Sequence, residues 1–176
     1  MKNKRLLIAT LASCLALIMI VLPLASGCGP EVEEQTLKIG ITTPSSGPAA
    51  EKGSPMGHAN LDCFEYINSE LGGVGGYHVE VVWLDNGYDA SMVVTNVKKF
   101  MDEGCLMFAT ASSAMMSAAM ETANRKEFPG LASFTSPSLY RPPQHIYGQM
   151  PDYGDDALAF ASFYMENIWQ GEGKPR

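Results

Sequence analysis

Strand-like apolar runs separated by amphipathic helical stretches constrain this chain more than any other feature of its sequence. Residues 37–41 (Leu-Lys-Ile-Gly-Ile) alternate as a strand does, and 42–53 are rich in Ser, Pro and Gly, as a loop is. Ser54 and Pro55 predict a helix start, with serine as cap and proline at the first position. Met56, Ala59, Cys63, Phe64, Ile67 and Leu71 then fall on one face, and Gly72-Gly73 stops the helix. Residues 77–84 read as the next strand. Asp89 caps a helix with a stripe of Val93, Val94, Val97, Phe100 and Met101, ended by Gly104. Residues 106–109 form a short strand of the fully buried kind. Ser112 or Ser113 starts a helix running to Glu127, with Met116, Ala119, Met120 and Ala123 inward, and 131–134 is a fourth strand. This β-α-β-α-β-α-β order with short loops predicts an α/β fold, a doubly wound parallel sheet with helices on both faces.

A sheet of that kind binds ligands beyond the carboxyl ends of its strands. The segments there are 42–53, 85–88, 110–113 and 135–138, and most carry several hydroxyls. The glycine-rich run at 72–76 follows a helix and precedes a strand. A dinucleotide fingerprint needs the opposite order, so the run reads as a helix stop and turn. Asp85 and Asp89 stand near strand ends, where turn formation and helix capping account for them.

The first residues have the layout of a secretory leader: Lys2, Lys4 and Arg5, an apolar run over 6–24, then Ala25-Ser26-Gly27-Cys28. The small residues before Cys28 resemble a bacterial lipobox, in which the cysteine is lipidated and becomes the mature N-terminus. Ala25 stands where a branched aliphatic is usual, with Leu24 one place earlier. An uncleaved anchor is the alternative, since the run is long enough to span a bilayer. The expected division is a signal peptide over 1–27 and a flexible acidic leader over 28–35. Without the leader's three cations, 9 basic and 19 acidic residues leave a formal charge of −10. Such a surface repels phosphates and argues against nucleic acid as a partner.

Cys63 and Cys105 remain in the exported portion. Both have apolar neighbours, which predicts two buried free thiols, with a disulfide as the other reading. His58, His78 and His145 lack the spacing of a metal site, and no metal or other cofactor is expected. Met107, Met115, Met116 and Met120 read as core rather than cleft lining. The stretch 141–151 carries Pro142 and Pro143 and reads as an irregular crossing. Residues 152–169 then form a strongly apolar helix that needs a sheet to cover. It reads as the first helix of a second lobe, incomplete in this sequence.

LKIGITTPSSGPAAEKG (37–53), INSELGGVGGYHVEVVWLD (67–85) and 89–104 resemble the leucine/isoleucine/valine-binding protein family, the branched-chain amino-acid receptors of ABC importers. The Gly47-Pro48 turn with Gly53, Asn68 with Gly72-Gly73-Val74-x-Gly76, and Ser133-x-Thr135-x-Pro137-x-Leu139 carry the likeness, which runs over about 36–169. It implies a periplasmic-binding-protein type 1 lobe over 36–140, a crossing over 141–151 and the start of a second lobe over 152–176. It further implies a ligand enclosed between lobes, an ABC permease as partner, and membrane tethering through Cys28 at the periplasm or cell surface.

The resemblance assigns ligand contact to Ser113 through the carboxylate of the solute, to Thr135 through hydroxyl and amide, and to Ser133 through its backbone. Simple N-capping is the other reading of Ser112 and Ser113, and an ST-turn the other reading of Ser133 and Thr135. Lys52 stands where many relatives carry an aromatic; it either favours an anionic ligand group or faces solvent. Phe134 and Tyr140 are bulkier than usual, and Tyr153 is either a cleft residue or structural. A small amino acid or related acid is the expected cargo. A sensor domain of the same fold is the alternative function. A hydrolase is disfavoured, because no histidine falls in a strand-end loop with a serine and an acid.

Overall fold

The computed structural model describes residues 36–139, 141–171 and 173. The expected signal peptide over 1–27, the stretch 28–35 with Cys28, and Tyr140 lie outside the described residues. The elements are β1 (Thr36–Thr43), α1 (Ala50–Leu71), β2 (His78–Asp85), α2 (Ala90–Asp102), β3 (Phe108–Thr110), α3 (Ser113–Arg125), β4 (Gly130–Ala132), β5 (Ile146–Gly148) and α4 (Tyr153–Asn167), with 3-10 turns at Gly47–Ala49 and Pro137–Leu139. The sheet has order β2-β1-β3-β4-β5, and its ladders are parallel. Pairs such as Thr43↔Asp85 and Thr42↔Thr110 bring the carboxyl ends of the strands to one edge.

Strand alternation sends neighbouring residues of β1 to opposite faces. Gly40 and Thr42 face α2: a Cβ on Gly40 would lie 2.4 Å from Phe100, and Thr42 meets Asn96 of α2. Thr43 faces the other way, where it accepts from Trp83 Nε1 at 2.9 Å, and Trp83 in turn packs on Gly57 of α1. The sheet is therefore doubly wound, with the order reversing between β1 and β3. The main core fills the α2/α3 side: Val97, Phe100, Phe108, Met116, Ala119, Ala123, Phe128 and Ile146 are buried there, with Phe108 stacked on Phe128 at 5.6 Å.

The structure corrects several expectations. Helix α1 begins at Ala50, so Lys52 and Gly53 are helical and Pro55 lies inside the helix instead of opening it. Interior proline costs about 3 kcal/mol. The early start seats Gly53 against Pro44 and Gly57 against Trp83, close contacts that only tertiary packing reveals. Its buried residues are these glycines, whereas Ala59, Cys63 and Leu71 of the expected stripe are exposed. Cys63 is thus an exposed thiol; Cys105 is a buried one, and burial pushes its pKa up, with the Glu103 charge adding to the rise. Leu106 is exposed and β3 starts at Phe108; Phe134 lies past β4.

The supposed crossing contains β5, which pairs Ile146 with Gly130 and buries Ile146. Three residues are too few for periodicity to reveal a strand. Ser54 is not the cap of α1, whose N-cap position is Ala49, but other expected stops and caps are present: Gly72 and Gly73 at φ 71 and 80 end α1, and Asp89 caps α2 through Ser91 and Met92 amides. Asn68 ties the end of α1 to β2, donating to Val79 O and accepting from Val79 N, both at 2.8 Å. Helix α4 is capped by Asp152 and buries no residue; Leu158, Phe160, Phe163 and Ile168 are exposed.

Candidate functional site

Loops from every strand of the parallel ladder meet at the carboxyl edge of the sheet, and a polar network fixes their positions. Asp85, the last residue of β2, accepts at Oδ1 from Ser45 N (2.7 Å), Ser46 N (3.1 Å) and Gly87 N (2.9 Å), and at Oδ2 from the Ser46 hydroxyl. Partial burial pushes its pKa up, but the Ser46 hydroxyl and the Gly87, Ser45 and Ser46 amides outweigh that effect and lower it to about 2. The carboxylate thus clamps the β1 loop to the β2 loop. Beneath it, Thr42 Oγ1 accepts from Asn86 Nδ2 (3.2 Å) and Asn96 Nδ2 (3.0 Å), and Asn96 also donates to Asp85 O (2.8 Å). Asn86 Oδ1 accepts from Tyr88 N at 3.0 Å, which holds Tyr88 in a left-handed conformation at φ 62.

Helix α3 starts at this edge. Ser112 is its N-cap, accepting from Met115 N at 3.4 Å and donating to Tyr88 Oη at 3.4 Å. Ser113, the first helical residue, accepts from Tyr153 Oη at 3.3 Å. Tyr153 also donates its amide to Thr135 O at 3.1 Å, so one residue joins Ser113 to Thr135. Ser133 accepts from Gln149 Nε2 at 3.0 Å, and both border a cavity of about 100 Å³ together with Thr43, Asn60 and Thr110. The Thr110 hydroxyl is buried and has no hydrogen-bond partner among the described residues. Asp152 anchors the chain entering α4: Oδ1 accepts from Gly154 N (2.7 Å) and Asp155 N (3.0 Å). Its Oδ2 lies 2.9 Å from Arg141 Nη2, an ion-pair distance without hydrogen-bond alignment.

The expected site residues are thus partly assembled. Ser112 and Ser113 sit together at the start of α3 and are half-buried, as is Ser133. Thr135 shares Tyr153 with Ser113, but its side chain is only 1% exposed. Lys52 is exposed in the first turn of α1. Sequence reasoning missed Tyr88 and Gln149; a large aromatic in an Asn-Gly-x-Asp turn was the available signal for the former. Among the described residues, no group of three His, Cys, Asp or Glu side chains could hold a metal ion.

The model of the family described as periplasmic binding protein matches residues 36–170. The chain belongs to that family. Among solved structures, this periplasmic binding protein is similar to a possible leucine/isoleucine/valine-binding protein from Rhodopirellula baltica. The two share 24% identity at a TM-score of 0.67, over 80% of this chain and 38% of that one. It is also similar to a fatty acid ABC transporter substrate-binding protein from Thermomonospora curvata (26%, TM-score 0.64, 78% and 35%). A third likeness is to a branched-chain amino acid transporter substrate-binding protein from Streptococcus pneumoniae, solved with isoleucine (21%, TM-score 0.63, 76% and 39%). The chain therefore spans less than two fifths of the length of each. Among curated proteins, none matches the sequence significantly.

Proposed function

We propose that this periplasmic binding protein captures a small carboxylate-bearing solute at the start of α3 and presents it to an ABC permease. The observation that carries the reading is the junction of Ser113 and Thr135 through Tyr153 at the carboxyl edge of the sheet. First-turn amides and the helix dipole favour an anion there, and the Ser113 hydroxyl adds a donor. The Tyr153 hydroxyl holds that of Ser113 and Thr135 is buried, so capture requires the 149–153 segment to swing away. Residues 36–140 together with β5 form the first lobe, 149–151 the crossing, and 152–176 open the second. Closure of two lobes then encloses the solute. Export and a lipid at Cys28 hold the protein at the outer face of a membrane.

The proteins solved with isoleucine and, in Rhodopseudomonas palustris, with 3,4-dihydroxybenzoic acid set the range of acids worth testing. A thermal-shift screen of the full-length protein against aliphatic amino acids, fatty acids and aromatic acids tests the reading. At least one carboxylate raises Tm, and Ser113→Ala lowers that response about tenfold in affinity, the worth of one hydrogen bond to a charged group. If no carboxylate stabilises the protein, the reading is wrong.

A further inference from the structure

The head of α4 is tied to the first lobe by charge as well as by backbone. Arg141 follows the 3-10 turn Pro137–Leu139, whose Leu139 is buried in the main core. The Arg141 amide donates to Pro137 O at 3.0 Å, so its backbone belongs with that lobe. From there a single guanidinium nitrogen, Nη2, lies 2.9 Å from Oδ2 of Asp152 and 2.9 Å from Oδ2 of Asp155. Asp155, half-exposed, accepts a hydrogen bond from it. Asp152 is fully buried, and its other oxygen caps α4 through the Gly154 and Asp155 amides. Gly154 lies against the same turn, where an added Cβ would be 3.4 Å from Pro137 Cγ. The dipole of α4 repels a cation at this end, so the two carboxylates, rather than the helix, account for the guanidinium there.

A buried carboxylate is tolerated while it is paired and hydrogen-bonded. Asp152 meets that condition as long as the 149–153 segment stays docked. Swinging the segment away returns Asp152 to water and separates it from Arg141, whose backbone stays with the first lobe. We propose that Arg141 is an electrostatic latch on the crossing, holding the head of α4 against the first lobe and setting how often the solute site opens. The proposal rests on the capture reading above, which requires that swing. A site open for only a fraction of the time binds more weakly by that fraction. Arg141 therefore tunes apparent affinity without touching the solute.

Hydrogen exchange of the full-length protein, with no solute added, tests this, because amides of 152–156 exchange when the segment leaves its seat. Arg141→Gln removes the charge and leaves Asp152 buried without its cation; it is expected to speed that exchange about tenfold or more, while α2 amides keep their rate. In the wild type, raising sodium chloride from about 0.05 to about 0.5 M speeds the same amides roughly two- to fivefold, the screened share of the exposed Asp155 pair. Arg141→Gln loses that salt response. Should Arg141→Gln not fold, Asp155→Asn carries the test, with roughly two- to fivefold faster exchange at the same amides. Unaltered exchange in the variant used, or equal acceleration in α2, overturns the latch, as does a salt response that survives in Arg141→Gln. The thermal-shift screen decides the capture reading separately: faster exchange with no acid bound leaves the tie standing and overturns capture, whereas a bound acid with unaltered exchange overturns the latch alone.

Discussion

Removing the Asp85 carboxylate tests whether the site edge is held together as described. Its Oδ1 takes three amide hydrogen bonds and its Oδ2 the Ser46 hydroxyl, joining residues 39 and 40 positions away in sequence. A hydrogen bond to a charged group is worth about 1.5–3 kcal/mol when shielded. Ser46 is exposed, so its share falls below about 1 kcal/mol. The Ser45 and Gly87 amides are partly buried and lose their acceptor outright in Asp85→Ala. The expected cost is about 2–3 kcal/mol, and about half that for Asp85→Asn, which keeps a neutral acceptor.

Urea denaturation at pH 7 with unchanged m gives the cost directly. Because the folded pKa is about 2 against 3.8 for the free group, the stabilisation is present above pH 3.8 and is lost as pH falls towards 2. Asp85→Asn should therefore lack the part of the wild-type decline that falls in that window. A loss under about 0.5 kcal/mol in Asp85→Ala, or identical acid profiles for wild type and Asp85→Asn, would refute the clamp.

Gly53→Ala would place a Cβ 2.2 Å from the Pro44 carbonyl, which belongs to the backbone of the β1 loop. Overpacking of about 1–3 kcal/mol outweighs the roughly 1 kcal/mol that alanine gains in a helix, so Tm falls. A rise in Tm would place the start of α1 elsewhere. Asn68→Ala removes both bonds to Val79 and strands a partly buried amide and carbonyl, costing about 2–3 kcal/mol in chemical denaturation. An unchanged midpoint would contradict the tie between α1 and β2. Thiol labelling of the native protein should modify Cys63 quickly and Cys105 only as fast as the protein opens; equal rates would be inconsistent with the burial described.

Helix caps and stops were legible because they depend on residues within one turn. Asp89 meets the amides two and three places on, Ser112 meets Met115, and Gly72 needs only its own left-handed φ. The order of elements followed from hydrophobic periodicity, and that order dictates a parallel, doubly wound sheet because crossovers have one hand. The start of α3 was placed for the same local reason, so Ser112 and Ser113 were found together.

Tertiary structure decided what distant residues do to one another. The early start of α1 depends on glycines meeting Pro44 and Trp83, and β5 exists because Ile146 finds Gly130. Exposure of Cys63 follows from an open groove beside α1, which the cysteine borders together with Ile39, Ile41 and Ala109 of the sheet. The pairings of Tyr88 with Ser112 and of Tyr153 with Ser113 span 24 and 40 residues, a separation that leaves no periodic trace in a sequence. Local chemistry wrote the elements into the chain; only their packing brought these hydroxyls to one edge.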